Sequence, residues 1–517
     1  MKYKLLFCFL LFINSLKICS QSPSIQWQKS LGGSLSETAK SIRQTQDGGF
    51  IIAGSTISND GDVTGLHGTS LDCWIVKLDN SGTIQWQKTY GGTGNDAAND
   101  IQQTADGGYI FVGYSSFANG DVTLNKGSSD YWVVKLNAVG NIQWQKSFGG
   151  INIDEATSVQ QTSEGGYIVA GQSSSNDLYA DVTGNHGFND YWVVKLNSSG
   201  NLQWQKSFGG SAQDYAGTIK QTLDNGYIMV GSTTSNNGDV SQNYGNWDYW
   251  VIKIDASGNL MWEKSLGGSG LEQAFDVVQN QDGDYVVAGF AVMPNTQTPD
   301  APGSRDFWIV KLSSSGNVIW GKNFGGSSAD GAGSINLTSD GGYIVGGYTQ
   351  SADGNVTQNF GNTDYWIVKL DSAGNLQWQK SLGGSNVDQL YAVQQISDNG
   401  YIMVGYTMSS NVNITMNHGA SDIWVVKLGS TLGIKENKSI SKPSFYPNPA
   451  KDLVSVEKLP KESTISITDL SGRKLFSNKY IDEKATVNLS DLINGVYLIK
   501  AETVGTIILS EKLIIKK

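Results

Sequence analysis

The chain has 517 residues, with 63 Gly, only 8 Pro, 15 Trp, 10% aromatic and 16% charged side chains. That balance excludes a collagen, a coiled coil and a disordered linker. The net charge is −11, and residues 21–434 hold 37 acidic side chains against 19 basic ones, so the surface repels phosphate backbones and anionic headgroups, and nucleic acid is not an expected partner.

Residues 1–4 are basic and residues 5–13 form an apolar run, LLFCFLLFI. This reads as a secretory signal peptide over residues 1–20, cleaved after Ser20, and the run is too short to span a bilayer. No transmembrane span is expected in the mature chain. A lipid anchor on Cys19 is the rival reading, but Leu16-Lys17-Ile18 lacks the small residue expected before a lipidated cysteine. Without Cys8 and Cys19 the mature chain keeps Cys73 alone, which permits no intrachain disulfide.

Residues 21–428 are dominated by internal repetition. A segment I-Q-W-Q-K places Trp27, Trp86, Trp144, Trp204, Trp262, Trp320 and Trp378 at spacings of 59, 58, 60, 58, 58 and 58 residues. Each copy continues through Gly-Gly, an acid, S-I-Q-Q-T, a D-G-G turn, Y-I-V-x-G, a variable polar stretch and D-Y-W-V-V-K-L. The segments SVQQT and YIVA flank one turn signal, and YWVVKL and LQWQK flank another, giving two hairpins per repeat. YWVVKL is almost continuously apolar, as a strand buried on both faces should be, and LQWQK alternates like a half-buried outer strand. Seven such units predict an all-β fold, a seven-bladed β-propeller of four-stranded antiparallel blades. The repeat starts with its IQWQK strand and ends without one. The strand around Trp27 should therefore pair with the last copy and close the ring. A parallel β-solenoid is the rival, and tight hairpins argue against it. Fourteen tryptophans on two template positions are expected to be buried and to replace disulfides as the source of stability.

The blade pattern resembles the kelch or galactose-oxidase type, in which the second strand ends in glycines, as in Tyr343-Ile344-Val345-Gly346-Gly347 here. The units lack that family's recurring arginine, so the resemblance implies architecture alone, and Cys73, beside Trp74 inside a template strand, gives no support for copper chemistry.

Acids recur at two template positions. Glu37, Asp96, Asp154, Asp214, Glu272, Asp330 and Asp388 each follow a Gly-Gly, and a second set precedes the YWVVKL tryptophan. Loop capping through backbone N–H groups is the preferred reading, and a carboxylate ring near the central channel is the sharper one. The template lysines, such as Lys135 and Lys146, are read as structural. The long loops vary in length and composition, and variation on a rigid scaffold is where binding concentrates. On that face lie His67, His186 and His418, the only histidines, which are on separate repeats and lack metal-ligand spacing. The off-template Trp247, with Tyr244 and Tyr215, is a candidate aromatic platform for a sugar or peptide. Asn59-Asp60-Gly61-Asp62 and Asn119-Gly120-Asp121 have oxygen-rich loops without a complete EF-hand. No cofactor is expected, with structural calcium as the alternative.

Residues 429–444 read as a linker, and residues 445–517 as a separate β-sandwich. Tyr446-Pro447-Asn448-Pro449, the D-L-S-G-R turn through Gly472, N-G-V-Y-L-I with Gly495, and the terminal Lys512, Lys516 and Lys517 closely resemble the type IX secretion C-terminal sorting domain. The resemblance implies export across the outer membrane of a Bacteroidota-type bacterium through the type IX machinery, removal of the domain, and an extracellular or outer-surface location. The functional expectation is a non-catalytic module binding an extracellular glycan or protein. A carbohydrate-active enzyme using two loop acids and a spacer without a ligand are the alternatives.

Overall fold

The protein is described from a computed structural model, over residues 22–176, 181–292, 305–430, 443–503 and 506–517. These residues form strands and no helices, and the chain divides into two compact units, one ending at Thr431 and the other starting at Leu432.

The first unit consists of seven four-stranded antiparallel sheets among the described residues. The first sheet runs Glu37–Gln44, Phe50–Thr56, Asp72–Leu78, Ile84–Tyr90, from inner to outer strand. The other sheets repeat that order with their own copies, except at the chain's two ends. There Asp388–Gln395, Tyr401–Thr407 and Asp422–Leu428 take the amino-terminal Ile25–Leu31 as their outer strand. Trp27 pairs with Lys427, and Leu31 with Ile423. Each third strand is rich in β-branched and aromatic residues, which suit a pleated, fully covered surface. Asp72–Leu78 is buried at all seven positions.

Each inner strand shifts register once, as between Ala39 and Ser41. The bulge brings the strand against the glycine of its partner: a Cβ on Gly54 would lie 1.9 Å from the Thr38 carbonyl oxygen. That close approach explains the glycine that ends the Y-I-V-x-G template.

Neighbouring sheets are held together in three ways. Apolar clusters lie between them, and one of these joins Ile42, Trp74 and Val76 of the first sheet to Ile402, Val404 and Val425 of the last. A glutamine at the end of an inner strand accepts a backbone N–H from the hairpin turn of an adjacent sheet. Gln103 takes Gln46 N at 2.8 Å, and Gln44 takes Ser397 N at 2.9 Å across the chain ends. Tyrosines on the third strands reach over to the next sheet, as Tyr131 does in donating to the Trp192 carbonyl at 2.9 Å.

The two tryptophan sets differ in burial. Trp74, Trp132, Trp192, Trp250, Trp308, Trp366 and Trp424 on third strands are 0–1% exposed. On outer strands only Trp378 is fully buried, at 3%, while the rest are half-buried. This corrects the expectation of fourteen buried indoles. An outer strand has one face in water, and Trp27 lies across the turn glycine Gly82 (φ +80°), where a Cβ would sit 2.9 Å from its ring. A buried indole needs an acceptor, and in six of the seven sheets the outer strand supplies it. Trp74 donates to Gln87 Oε1 at 2.7 Å, and Trp424 donates to Gln28 Oε1 at 2.8 Å.

The second unit packs the sheet Ser444–Tyr446, Leu453–Glu457, Lys484–Asn488 against the sheet Lys474–Tyr480, Ser463–Thr468, Gly495–Thr503, Thr506–Ile515. Val454, Ile465, Ile467, Ile499 and Leu513 form its core.

Replacing Gln28 by Ala orphans the Trp424 N–H and should destabilise the first unit by about 1–3 kcal/mol. Urea unfolding of Gln28→Ala against Gln26→Ala, whose side chain makes no such bond, measures it. Equal midpoints would show that the bond between the chain's two ends contributes nothing.

Candidate functional site

Every recurrent acid has a structural position. Glu37, Asp96, Asp154, Asp214, Glu272, Asp330 and Asp388 each begin an inner strand and are 0% exposed. Each accepts the N–H of the second glycine of its Gly-Gly. The distances are 2.9 Å from Gly33 to Glu37, 2.8 Å from Gly150 to Asp154 and 2.7 Å from Gly384 to Asp388. Neighbouring hydroxyls complete the shell, as Ser175 does for Asp154 at 2.7 Å. The second set begins the third strands and accepts one backbone N–H from the preceding loop, Lys126 N to Asp130 Oδ2 at 2.6 Å being the pattern. The two sets meet across a glycine: a Cβ on Gly149 would lie 2.4 Å from Asp130 Oδ1 and 2.7 Å from Asp154 Oδ2.

Such buried carboxylates are costly when charged. Desolvation, with the facing carboxylate as a lesser cause, pushes Asp130 up to about 7 and Glu272 up to about 7. Burial likewise raises Asp96, Asp190, Asp248 and Asp364 to about 6. The hairpin acids behave oppositely. Desolvation opposes the charge of Asp47 and Asp106, but hydrogen bonds from Lys77 and Thr45, and from Thr104 and Lys135, outweigh it and hold both at about 2. All seven third-strand lysines, from Lys77 with Asp47 at 2.9 Å to Lys427 with Asp398 at 2.7 Å, pair with the acid of their own sheet's first hairpin.

The three histidines do not converge. Each ring Nδ1 contacts the template acid of its own sheet: His67 with Asp72 at 2.8 Å, His186 with Asp190 at 2.8 Å, and His418 with Asp422 at 2.7 Å. His67 Nε2 also reaches Asp121 of the next loop at 3.5 Å, and Lys126 at the equivalent position reaches Asp181 at 2.6 Å. These side chains tie one long loop to the following one. His67 and Asp121 line a groove of about 440 Å³ between the first two sheets.

Trp247 and Tyr215 are stacked, with ring centroids 5.2 Å apart and planes 18° from parallel. Both are half-buried, and Asn189 Nδ2 donates to the Tyr215 hydroxyl at 3.2 Å. Tyr244 is 39% exposed and its backbone N–H donates to Asp248 Oδ2 at 2.5 Å. In the oxygen-rich loops, Asp60 accepts Ser34 N at 2.7 Å, Asp62 accepts Gly32 N at 3.2 Å and Asn119 accepts Thr93 N at 2.6 Å. Their oxygens serve the chain's own backbone. No group of three or more His, Cys, Asp or Glu able to hold a metal ion occurs among the described residues.

A small cavity of about 90 Å³ where the inner strands meet went unnoticed in the sequence. Its lining includes Lys40, Arg43, Asp100, Lys220, Asp276 and Tyr391, and none of the seven strand-starting acids. Lys40 Nζ sits 3.5 Å from the Tyr391 ring centroid, and burial lowers Lys40 to about 8. These residues break the repeat at single positions, which no template reveals.

In the second unit, Tyr446 donates to Glu457, and Asn448 joins the last strand by donating to Lys512 O and accepting Ile514 N, both at 2.8 Å. Pro447 and Pro449 flank Asn448. Gly472 (φ +86°) forms the turn closed by Asp469, and Gly495 pairs with Ile515.

Residues 444–516 match the family of secretion system C-terminal sorting domains. The second unit is thus a type IX sorting domain, which marks a secreted or cell-surface protein and implies contact with the secretion machinery. No helix among the described residues is long and apolar enough to cross a membrane. The regulatory protein FlaEY of Caulobacter vibrioides is 26% identical over 225 residues, covering 40% of this chain and 23% of that protein. The chain therefore spans less than a quarter of that relative. Among solved structures, PorZ, a surface component of the type IX secretion system of Porphyromonas gingivalis, is 11% identical with a TM-score of 0.40, over 94% of this chain and 60% of that one. A puromycin hydrolase is 10% identical with a TM-score of 0.40, over 93% and 62%. Likenesses this distant assign no chemistry here.

The buried acids dictate a pH dependence. Their folded pKa values of about 6–7 lie above the unfolded carboxylate range near 4, so the folded state binds more protons between those limits. Stability should rise as pH falls from 8 to about 5. Below about 4 it should fall again, as Asp47 and Asp106 approach protonation in the folded state. Asp130→Asn should stabilise by on the order of 1 kcal/mol at pH 8 and by almost nothing at pH 5. Thermal melts of both proteins across that range test the sign.

Proposed function

We propose that residues 22–428 form a closed seven-bladed β-propeller with kelch-type blades, acting as a non-catalytic binding module whose long-loop face takes an extracellular glycan or protein. Pairing of Ile25–Leu31 with Asp422–Leu428 and the core shared by the first and last sheets support closure. One observation carries the binding reading. The recurrent acids, lysines and histidines are engaged by their own sheet or its neighbour, whereas the half-exposed Trp247–Tyr215 stack occurs in one repeat only. A flat aromatic pair, with the exposed Tyr244 close to Trp247 along the chain, suits the apolar face of a sugar ring or an extended peptide. The sorting domain delivers this module to the outside of the cell and is removed or retained there.

Glycan and protein arrays probed with the secreted protein, followed by turnover assays on each hit, test this reading. Saturable binding that Trp247→Ala weakens about tenfold is the expected result. Product formation abolished by replacing a single acid would instead establish a carbohydrate-active enzyme, and absence of any ligand would favour a spacer.

A further inference from the structure

The fifth sheet breaks a rule that the other six obey. In those six, the buried third-strand indole donates to a side-chain oxygen thirteen residues on, or in the last sheet to Gln28. Trp132 reaches Gln145 at 2.7 Å, Trp192 reaches Gln205 at 2.7 Å, Trp250 reaches Glu263 at 2.9 Å and Trp366 reaches Gln379 at 2.9 Å. The same glutamines donate onward to the long loop, as Gln379 does to Thr357 Oγ1 at 2.5 Å. Trp308 has no such partner. Its counterpart is Gly321, in Trp320-Gly321-Lys322 where the other copies read W-Q-K or W-E-K. The Trp308 Nε1 is buried and makes no hydrogen bond, although the residue is only 1% exposed. A buried N–H without an acceptor is expensive.

The missing side chain leaves room. A groove of about 530 Å³ lies between the outer strand of the fourth sheet and the fifth sheet. Trp308 and Gly321 line it together with Leu266, Val310, Val318, Lys264 and Asn317. Because Val310 pairs directly with Gly321 and Trp308 with Asn323, all four share one face of the sheet. The indole N–H of Trp308 therefore points to the space that a side chain at 321 would occupy. A second departure from the repeat accompanies the first: Asn323 stands where the other copies have Ser or Thr, and its Oδ1 is buried and accepts nothing. Two paired strands thus present an unanswered donor and an unanswered acceptor on the same face of the sheet.

We propose that this groove is a binding site for a primary carboxamide on an aliphatic arm, the chemistry of a glutamine side chain. The carbonyl oxygen accepts from Trp308 Nε1, the NH2 donates to Asn323 Oδ1, and Leu266, Val310 and Val318 cover the methylenes. The chain itself supplies the precedent, since glutamine side chains occupy this position in five other sheets. The site is separate from the aromatic stack proposed for the long-loop face, so either reading can fail alone.

Indole-labelled NMR of the secreted protein provides the test, with the Trp308 N–H peak assigned by its loss in Trp308→Phe. N-acetylglutamine N-methylamide should move that peak saturably, and N-acetylnorvaline N-methylamide, which carries no primary carboxamide, should not. Gly321→Gln, at a position outside the left-handed glycines, should shift the free peak toward the six clasped indoles. It should also raise the melting temperature and weaken the response to the amide about tenfold or more. A glutamine-containing extended peptide binding more tightly than the free amide identifies a polypeptide as the source, and equal affinity identifies a small amide. The proposal is overturned by an unresponsive peak, by an equal response in Gly321→Gln, by a free wild-type peak already among the clasped six, or by tighter binding of N-acetylglutamate N-methylamide.

Discussion

An indole buried between two sheets brings a large apolar surface and one obligatory hydrogen bond. In the first unit that requirement decides the composition of the neighbouring strand in the sheet order. The third strand is covered on both faces, so its tryptophan reaches no water, and the adjacent outer strand must carry a side chain long enough to accept the N–H. The glutamine of I-Q-W-Q-K meets that need and then binds the long loop, which makes the outer strand the point where core packing and loop position are joined. At the chain's two ends the same bond runs from Trp424 to Gln28, so that a contact local in every other sheet becomes one of the longest-range contacts in the molecule.

The ionisable groups follow a parallel logic. Repetition places identical acids at identical buried corners, and each is held by backbone N–H groups and hydroxyls of its own sheet and the neighbouring loop. Half of the pairing arrangement is strained: one oxygen of Asp130 and its equivalents on Asp72, Asp190 and Asp248 accepts nothing, and a second carboxylate lies nearby. The buried lysines are better matched, because each meets a partly exposed hairpin acid and a carbonyl at once. The recurrent charges of this scaffold are thereby engaged within the fold. Its departures from symmetry, the Trp247–Tyr215 stack and the Trp308 groove, are the two places where binding is proposed.

Much of this was legible in the residues. The alternation of IQWQK and the unbroken apolar run of YWVVKL separate a strand with one wet face from a strand with none, and the hairpin turns lie where Gly-Gly and Asn follow short polar runs. The phase of the repeat pointed to a pairing between the strand of Trp27 and that of Trp424. The burial of outer tryptophans was overestimated, because a template records residue type and not which side of an edge strand water reaches. The partner of each histidine was not legible either: His67 sits five residues from Asp72 but also meets Asp121, fifty-four positions away in the long loop of the next sheet.

The sequence by itself determined the repeating unit, its strand order, the separate sorting domain and the extracellular destination, because period, turn chemistry and spaced motifs are local properties of the chain. Only the tertiary structure decided which positions matter individually. Gly321 is an unremarkable change when read along the chain, since glycine is common throughout. It acquires meaning when the sheet sets it opposite Val310 and beneath an indole with nothing to bind, because a missing hydrogen bond depends on what surrounds a residue and not on the residue itself.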